Sequence, residues 1–406
     1  MTDNINLVGE WPILIFMKFD VVIIGAGAAG LMCAATAGAR GRKVLLIDHA
    51  EAVGKKIRIS GGGRCNFTNL YTTPKNFISQ NEHFCVSALR RFTQQDFIAL
   101  IKKHEIAFHE KTLGQLFCDN SSKEIIEMLL KECAAGGVEI RLNTKVSAIK
   151  KLENHFEIKT DEVLEAASVV IATGGLSIPK MGATGFGYEI AKQFGLKITP
   201  RIPALVPLTF DEKLLTKTRE LSGVAIDSEV SCKKIKFREA VLFTHRGISG
   251  PAILQISSYL KKGEAIQINF APDRDIFSWL VEEKKLKAKQ EIKNVLAQIL
   301  PKSFVNFLLG EVGHHGFLAD LSNQKLKDIA NFINSWSVMP SGCEGFAKAE
   351  VTLGGINCDE ISSKTFEAKK VPQLFFIGEV LDVTGWLGGF NFQWAWACGK
   401  ACGEFV

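Results

Sequence analysis

The chain has 406 residues, of which 47% are hydrophobic, and its formal net charge is +6. This length exceeds that of one simple domain and predicts two or three domains with full cores. The mild positive charge suits an anionic cofactor or substrate, but it does not by itself indicate nucleic-acid binding. No run of about 18 apolar residues is present, which argues against a membrane-spanning helix.

The first sixteen residues have the character of an extension that precedes the fold, and Met17 is an alternative start. No basic segment or small-residue cleavage site comes before the first strand, which argues against a signal peptide. Ten cysteines occur without a CxxC pair, and in a chain of this size they predict reduced thiols and a cytoplasmic protein. No paired Cys/His ligand set is present, so no metal site is predicted.

A dinucleotide-binding motif with all of its parts opens the fold. Residues 20–24 have the pattern of a buried strand, GAGAAG (25–30) follows at once, and a helix is predicted after it. In this motif the first glycine allows a tight turn, the second lets the backbone approach a pyrophosphate, and the third permits close helix–strand packing. The next strand, 44–47, ends in an acid that can accept hydrogen bonds from a ribose diol. We therefore predict a bound adenine dinucleotide, contacted by Gly25, Gly27, Ala28, Ala29, Gly30 and Asp48.

A loop rich in glycine, arginine and asparagine, GKKIRISGGGRCNFTN (54–69), comes directly after this acid. Three successive glycines allow backbone N–H groups to converge on an anion or on the edge of a flavin. The lysines and arginines of the loop add positive charge, and its Ser, Thr and Asn side chains add neutral hydrogen-bonding groups. Its predicted cofactor contacts are Lys56, Ser60, Gly62, Gly63, Arg64, Cys65 and Asn66.

Alternating helices and strands continue to about residue 195. Helices are predicted over 83–106 and 124–137, and strands near 138–142, 145–150 and 154–160. The strand in SVVIATGG (168–175) ends in small residues, which let the chain pass close to a cofactor. The contacts predicted from this region are Val146, Ala172, Thr173 and Gly174. GATGFG (182–187) is a weaker candidate for a second nucleotide motif, because no apolar strand directly precedes it.

The character of the sequence changes near residue 200. Two prolines and short alternating segments, such as DSEVSCKKIKF (227–237) and REAVLFTH (238–245), predict a small antiparallel sheet or barrel. Residues 276–335 instead have helical periodicity, as in EIKNVLAQIL (291–300).

Alternating α and β character returns from about residue 345. VPQLFFIGEVLD (371–382) predicts a strand that enters a loop, FQWAWACGKACG (392–403) predicts a closing helix, and TLGG (352–355) predicts a turn. An acid near a ribityl chain and the N–H groups of a helix N-terminus at a flavin N1/O2 edge would stabilise an anionic reduced flavin. The tryptophans of this region are predicted to be core residues. The predicted cofactor contacts here are Gly355, Gly378, Glu379, Asp382, Gly389, Phe390 and Asn391.

These motifs together resemble the flavoproteins with two dinucleotide-binding domains. More closely, they resemble the bacterial NAD(P)/FAD-dependent oxidoreductases known as the BaiN/RdsA or aminoacetone-oxidase-like family. The strings that carry the resemblance run from VVIIGAGAAGLMCA (21–34) through SGGGRCN, ATGG, PALVPL (203–208), LFTHRGISGPAIL (242–254) and AKAEVTLGGI (347–356) to IGEVLDVTGWLGGFNFQWAWACGKACG (377–403). The resemblance therefore covers nearly the whole chain.

The resemblance implies an FAD domain made from both ends of the chain, with an insert that holds a β-barrel and a helical bundle. Our boundaries agree: residues 1–195 and 345–406 form the FAD-binding domain, and 196–344 form the insert. Within the insert, the barrel covers about 196–275 and the helices about 276–344. The predicted fold class is α/β, a Rossmann-like FAD-binding domain of the two-dinucleotide-binding-domain flavoprotein type with an inserted β-barrel plus helical domain.

The residues also favour FAD over NAD as the resident cofactor. A nicotinamide dehydrogenase needs one nucleotide motif and a catalytic domain, whereas here glycine loops from both ends of the chain converge on one cofactor. A second complete motif is absent from the sequence, so NAD(P)H is expected only as a transient reductant.

The leading functional interpretation is a redox enzyme in which FAD accepts hydride from NAD(P)H and passes it to an unsaturated or carbonyl-type substrate. Activities proposed within the family leave the substrate open: aminoacetone oxidation, reduction of double bonds in steroid-like acids, and uridine reduction in ribosomal RNA. An amine oxidase would release peroxide, and a flavin-holding protein without turnover is a further alternative. A ribosomal RNA uridine reductase would dock RNA through basic runs of the insert, namely Lys233, Lys234, Lys236 and Arg238 with Lys284, Lys285, Lys287, Lys289 and Lys293. No membrane partner is expected, and the sequence assigns no oligomeric state.

Two residues are candidates for acid/base chemistry. Cys65 follows the glycine loop that is expected to lie along the cofactor, and His245 ends the strand AVLFTH beside Arg246. Reduction of a polarised double bond needs a proton donor beside the hydride donor, and a positioned donor contributes roughly 10²–10⁴-fold. The structural alternatives are that Cys65 packs in the core and that His245 bonds a loop carbonyl.

Overall fold

The computed structural model describes residues 17–406, and the expected extension over residues 1–16 lies outside them. The α-helices of the described residues are α1 (Ala28–Ala39), α2 (Lys55–Ile59), α3 (Val86–Arg91), α4 (Gln94–Lys103), α5 (Lys123–Ala135), α6 (Phe186–Gln193), α7 (Glu212–Thr218), α8 (Pro251–Ser257), α9 (Ile276–Leu286), α10 (Ile292–Leu296), α11 (Lys302–Val312), α12 (Asn323–Asn334) and α13 (Phe390–Gly403).

The strands of the first half are β1 (Met17–Ile24), β2 (Val44–Ile47), β3 (Asn66–Asn69), β4 (Phe77–Ile78), β5 (Phe108–Glu110), β6 (Gln115–Cys118), β7 (Glu139–Arg141), β8 (Ala148–Lys151), β9 (Phe156–Lys159) and β10 (Val163–Ile171). Those of the second half are β11 (Ile202–Ala204), β12 (Leu208–Thr209), β13 (Ala225–Cys232), β14 (Ile235–Thr244), β15 (Gly247–Ser249), β16 (Ile266–Asn269), β17 (Trp336–Val338), β18 (Gly342–Cys343), β19 (Val351–Leu353), β20 (Leu374–Phe376) and β21 (Thr384–Gly385).

The first sheet has seven strands in the order β7-β2-β1-β10-β9-β8, with β20 also paired to β10. Strands β7, β2, β1, β10 and β20 are parallel, and β9 and β8 continue the sheet as antiparallel strands. Strand β20 comes from the C-terminal segment, so both ends of the chain form one sheet. In parallel α/β sheets, ligands bind beyond the carboxyl ends of the strands, which here carry the predicted glycine turns.

Helix α13 packs directly on α1 at the N-terminal motif. A β-carbon on Gly399 would lie 2.5 Å from the carbonyl oxygen of Ala29, so the glycine allows the two helices to approach closely. Trp394 and Trp396 are buried in the same core, as predicted, and Trp396 stacks on Phe97 with 4.6 Å between ring centroids. The last helix is therefore part of the nucleotide-binding domain.

At the two ends of the segment expected to form the insert, β11 and β19 pair antiparallel. The insert contains the molecule's other seven-stranded sheet, which is antiparallel and has the order β17-β16-β13-β14-β15-β12-β18. Helices α9 to α12 pack against this sheet around a hydrophobic core that is separate from the first. The sheet includes β17 and β18, which follow the helices, so its strands extend beyond the expected limit near residue 275.

Two expected elements also differ in detail. The helix expected over 83–106 is two helices, because Phe92 adopts an extended backbone and Thr93 caps α4 by accepting a bond from the Asp96 N–H. The turn expected over 352–355 begins inside β19 and turns only at Gly354 and Gly355.

Candidate FAD site

Close backbone contacts build the turn between β1 and α1. A β-carbon on Gly30 would lie 1.9 Å from the carbonyl oxygen of Gly25, and one on Gly25 would lie 2.4 Å from that of Ala172. Gly27 differs, since no neighbouring atom of residues 17–406 lies within 4 Å of where its β-carbon would be. This open space and the N–H groups at the N-terminus of α1 together suit a pyrophosphate.

Asp48 lies directly after β2, as expected, and its carboxylate fixes the glycine turn. Its Oδ2 accepts a hydrogen bond from the Ala26 N–H at 2.7 Å, and its Oδ1 accepts one from the Ala50 N–H at 2.9 Å. Each carboxylate oxygen has a further lone pair, so both can accept another donor. Contact with a ribose diol stays a prediction. Thr144 donates its N–H to the Asp48 carbonyl at 2.9 Å, which brings the segment of Val146 beside this strand end.

The first residue of the glycine-rich loop is hydrogen-bonded to the turn between β1 and α1. The Gly54 N–H donates to the Ala26 carbonyl at 2.9 Å. Gly61 and Gly62 have φ values of 57° and 66°, in the left-handed region that favours glycine. Ser60 donates its hydroxyl to the Ile57 carbonyl at 2.8 Å, so this hydroxyl serves the loop itself.

A polar cluster links this loop to the C-terminal segment. Lys56 Nζ donates to Ser177 Oγ at 2.7 Å and to Glu379 Oε2 at 2.8 Å. Glu379 Oε1 accepts the Thr352 N–H at 2.9 Å and the Ser177 hydroxyl at 3.1 Å. Lys56 and Glu379 were predicted contacts, whereas Ser177 and Thr352 were missed because short, isolated polar residues give no pattern in a sequence.

The N-terminus of α13 is organised by one side chain. Asn391 Oδ1 accepts the Gly385 N–H at 2.8 Å, and its Nδ2 donates to the Gly385 carbonyl at 2.9 Å. Gly389 caps the helix with φ 96°, and a β-carbon there would lie 2.4 Å from the Thr68 carbonyl. These contacts bring the glycine turn before α13 against β3, the strand that follows the SGGGR loop.

Asp382 is buried, with 3% of its surface exposed, and Oδ2 accepts the Gln80 N–H at 3.0 Å. Burial raises the pKa of its carboxyl, while the bond from Gln80 lowers it. Two buried hydroxyls in and after the β10 segment, Thr173 Oγ1 and Tyr188 Oη, have no hydrogen-bond partner within residues 17–406. Thr173 ends the β10 segment that was predicted to contact the cofactor, so an additional polar partner at this edge would satisfy it.

The remaining predicted contacts lie on the same converging segments. Gly355 packs against the turn after β20, since its β-carbon would lie 2.6 Å from the Val380 carbonyl. The others occupy the first turn of α1, the loop before β3 and the first residue of β3, the end of β10, the turn after β20 and the start of α13. They are Ala28, Ala29, Gly63, Arg64, Asn66, Gly174, Gly378 and Phe390.

The two candidate acid/base residues lie in different environments. Cys65 is 0% exposed in the core of the FAD-binding domain, and burial raises the pKa of its thiol to about 12. A thiol enclosed by protein does not reach a substrate, so this placement argues against the expected catalytic role and favours packing. His245 lies exposed in the turn after β14, where the guanidinium of its neighbour Arg246 is 3.5 Å from the Glu344 carboxylate.

The insert contacts the C-terminal glycine turn directly. Trp386 Nε1 donates to the Tyr259 hydroxyl at 2.6 Å, and the Leu387 N–H donates to Gln255 Oε1 at 3.0 Å. Gln255 in turn donates to Glu239 Oε1 at 3.2 Å. These bonds tie the insert to the turn that precedes α13.

The basic runs of the insert are paired with carboxylates in part. Lys233 pairs with Glu264, Lys236 pairs with Glu229, and Arg238 pairs with Asp273. In the second run, Lys287 and Lys293 also pair with glutamates. The expected RNA-docking surface therefore carries less free positive charge than its sequence indicates.

The described residues contain no cluster of three or more His, Cys, Asp or Glu side chains placed to hold a metal ion. None of the helices between residues 17 and 406 has the length and apolar content needed to cross a membrane.

The Rossmann sheet, the open glycine turn and the converging C-terminal helix define a dinucleotide-binding protein of the Rossmann type. The chain belongs to the family described as HI0933-like protein Rossmann domain, whose family model matches residues 19–405. The family match confirms the predicted fold class, and the enzymes among its relatives and structural neighbours confirm the predicted enzyme class and flavoprotein character.

Three relatives cover almost all of the chain. It is 51% identical over 391 residues to the "Ribosomal RNA dihydrouridine synthase" of Escherichia coli, covering 95% of this chain and 98% of that protein. It is 44% identical to the protein of the same name from Haemophilus influenzae, covering 94% and 96%. It is 29% identical to the "3-dehydro-bile acid delta(4,6)-reductase" of Clostridium scindens, covering 94% and 97%.

A solved structure shares the fold. The 3-ketosteroid-delta4-(5alpha)-dehydrogenase from Rhodococcus jostii matches 98% of each chain with a TM-score of 0.50 and 13% sequence identity. This likeness concerns the arrangement of sheets and helices alone.

Proposed function

We propose that this protein reduces uridine in ribosomal RNA to dihydrouridine, with FAD as its cofactor and NAD(P)H as its reductant. The observation that carries the proposal is the 51% identity to the E. coli ribosomal RNA dihydrouridine synthase over nearly the full length of both proteins. In the reaction, the C5–C6 double bond of uracil gains one hydride and one proton and becomes a single bond, and NAD(P)H is oxidised to NAD(P)⁺. A ribosomal RNA substrate implies a cytoplasmic protein.

The residues of the candidate FAD site would hold the cofactor in this reaction. Bound FAD would supply the two-electron chemistry that connects NAD(P)H to uracil. Gly27 and the N-terminus of α1 would bind the pyrophosphate, and Asp48 would bind the adenosine ribose. Glu379, ordered by Lys56, would orient the ribityl chain, and the N-terminus of α13 would face the N1/O2 edge of the flavin.

The insert would shape access to the flavin. Its bonds to Trp386 and Leu387 attach it beside the α13 turn, so a base would enter between the two domains. His245 is the proposed proton donor for the ring carbon, because it is an exposed titratable side chain on the β14–β15 turn of the insert.

The test uses the FAD-loaded protein, NADPH or NADH, and ribosomal RNA from cells that lack the protein. We expect reduction of the flavin by a nicotinamide, reoxidation by the RNA, and a mass gain of two hydrogens on one uridine. Flavin reduction without any dihydrouridine in the RNA would overturn the proposal. Stoichiometric peroxide with aminoacetone would instead indicate an amine oxidase, and reoxidation by a 3-dehydro bile acid would indicate a steroid-type substrate.

A further inference from the structure

The turn between β5 and β6 carries the exposed side chains of Lys111 and Leu113, with the Tyr71 ring beside it and Arg90 on the nearby helix α3. We call this group of four side chains, Tyr71, Arg90, Lys111 and Leu113, the β5–β6 rim. Tyr71 is 65% exposed and Leu113 is 56% exposed, while Arg90 and Lys111 are also exposed. Large exposed side chains of mixed apolar and basic character are typical of interaction surfaces.

One buried side chain connects the rim to the turn before α13. Asn69 Oδ1 accepts the Tyr71 N–H at 2.9 Å, and its Nδ2 donates to the Leu113 carbonyl at 3.0 Å. The same Nδ2 donates to the Gly388 carbonyl at 2.9 Å. The Tyr71 ring lies over Gly114, where a β-carbon would be 2.6 Å from the ring. The rim is therefore held in fixed register with the glycine turn of the candidate FAD site.

The basic groups of the rim are free to meet an anion. Lys111 Nζ lies 5.5 Å from the Phe117 ring centroid, and neither it nor Arg90 pairs with a carboxylate within residues 17–406. The neighbouring acids are already engaged, since Glu110 accepts the Gly114 N–H and Asp96 accepts the Thr93 N–H. In the insert, by contrast, Lys233, Lys236 and Arg238 of the first basic run each pair with a carboxylate.

A groove of about 430 Å³ continues the rim beyond Tyr71. It is lined by hydrogen-bonding and apolar groups together with one guanidinium, including Thr72, Thr73, Pro74, Arg90 and Gln94. Its size falls within the usual range of small-molecule pockets, about 300–1,000 Å³, which includes a single nucleotide.

We propose that the β5–β6 rim docks a single-stranded segment of the RNA substrate. A base stacks on Tyr71, the adjacent phosphates lie near Lys111 and Arg90, and a neighbouring nucleotide enters the groove. Aromatic stacking and unpaired cations are the two features with which proteins hold single-stranded nucleic acid. This inference rests on the proposed function, because it assigns the surface that presents RNA to the flavin.

The test compares Tyr71→Ala and Lys111→Gln with Lys293→Gln, whose lysine pairs with Glu291 in the insert. Binding of a ribosomal RNA fragment is measured against salt concentration. Tyr71→Ala should weaken binding about 10-fold or more, and Tyr71→Phe should restore it, because stacking needs only the ring. Lys111→Gln should lower the salt slope by about one. Lys293→Gln should bind the RNA fragment as tightly as the wild type does. All variants should keep the wild-type rate of flavin reduction by NAD(P)H.

The outcomes separate the two proposals. If the wild type forms dihydrouridine but Tyr71→Ala and Lys111→Gln bind RNA as the wild type does, the rim assignment is overturned and the function stands. If the wild type binds RNA through the rim but forms no dihydrouridine, the proposed reaction fails and the rim stands. Absence of RNA binding by the wild type, or an equal loss in Lys293→Gln, would also overturn the rim.

Discussion

Gly27 lies at the N-cap of α1 in extended backbone, with φ −84° and ψ −169°. Valine adopts this conformation, and the described residues leave space for its side chain. We therefore expect Gly27→Val to fold, with weaker helix capping lowering the free energy of unfolding by about 1 kcal/mol or less. The branched side chain would fill the pyrophosphate space, so FAD retention through gel filtration should be lost.

Gly310→Val is the matched control for this change. Gly310 also has open space around its β-carbon position, but it lies exposed in α11, in the insert. It should retain FAD at the wild-type level. Equal FAD content in the Gly27→Val and wild-type proteins would show that the pyrophosphate does not bind at this turn.

Asp382 predicts a dependence of stability on pH. Its raised pKa means that the folded protein binds a proton there more tightly than the unfolded chain does. The stabilising contribution of this group is therefore present below its ordinary pKa and is lost as pH rises through the raised value. Asp382→Asn stays neutral and keeps an acceptor for the Gln80 N–H, so it should raise the Tm of the apoprotein more at pH 7 than at pH 4. A pH-independent gain would contradict this assignment.

Cys65 and His245 predict different half-reaction kinetics. Since the Cys65 thiol is buried, Cys65→Ala should leave the rate of flavin reoxidation by RNA within about twofold of wild type. His245→Ala should slow the same step by roughly 10²-fold or more and leave reduction by NAD(P)H intact. Stopped-flow measurement of the two half-reactions checks both. Wild-type reoxidation in His245→Ala would remove it as the proton donor.

At the scale of elements, the contact between α1 and α13 depends on a missing side chain. Gly399 faces the carbonyl oxygen of Ala29 and the β-carbon of Met32, and its own β-carbon would lie 2.5 Å and 3.1 Å from them. Gly399→Val should therefore separate the helices, lower the free energy of unfolding by about 3 kcal/mol and reduce FAD retention at the same time. Urea denaturation and flavin content measure the two effects. Gly310→Val again serves as the control, and unchanged stability of Gly399→Val would contradict the packing.

The sequence predicts elements well where a local pattern decides them. The strand–glycine–helix start and the closing helix have continuous apolar periodicity, and both lie where expected. The break at Phe92 was missed although Thr93 and Asp96 form a local capping box. The joining of β17 and β18 to the second sheet was also missed, because pairing between strands separated by four helices leaves no local pattern in the chain.

For the whole molecule, two separate cores predict two unfolding events. Trp394 and Trp396 lie in the core of the FAD-binding domain, whereas Trp336 lies in the core of the insert. Since FAD would bind the FAD-binding domain, saturating FAD should raise the Tm of that domain's unfolding transition more than the Tm of the insert's transition. Calorimetry with and without FAD tests this, with Gly27→Val as the control that should show no shift. A single transition that shifts as a unit would mean that the two domains unfold together.

The candidate site was predictable to the extent that its residues stand in contiguous motifs. Gly27, Lys56 and Glu379 were found because each belongs to a glycine-rich or strand-end string. Ser177 and Thr352 were not, because they join the site only through the meeting of three distant segments. The pairing of Lys233 and Arg238 with carboxylates could not be foreseen either, since their partners lie about 30 residues away in the chain.

The position of α13 also constrains the order of events during synthesis. The ribosome makes the glycine turn and α1 long before it makes α13, the helix that packs on α1. The candidate cofactor site is therefore incomplete until α13 has been made, so FAD would be retained only after that point. A transcript that stops before residue 390 would yield a protein that contains the full nucleotide motif and remains colourless.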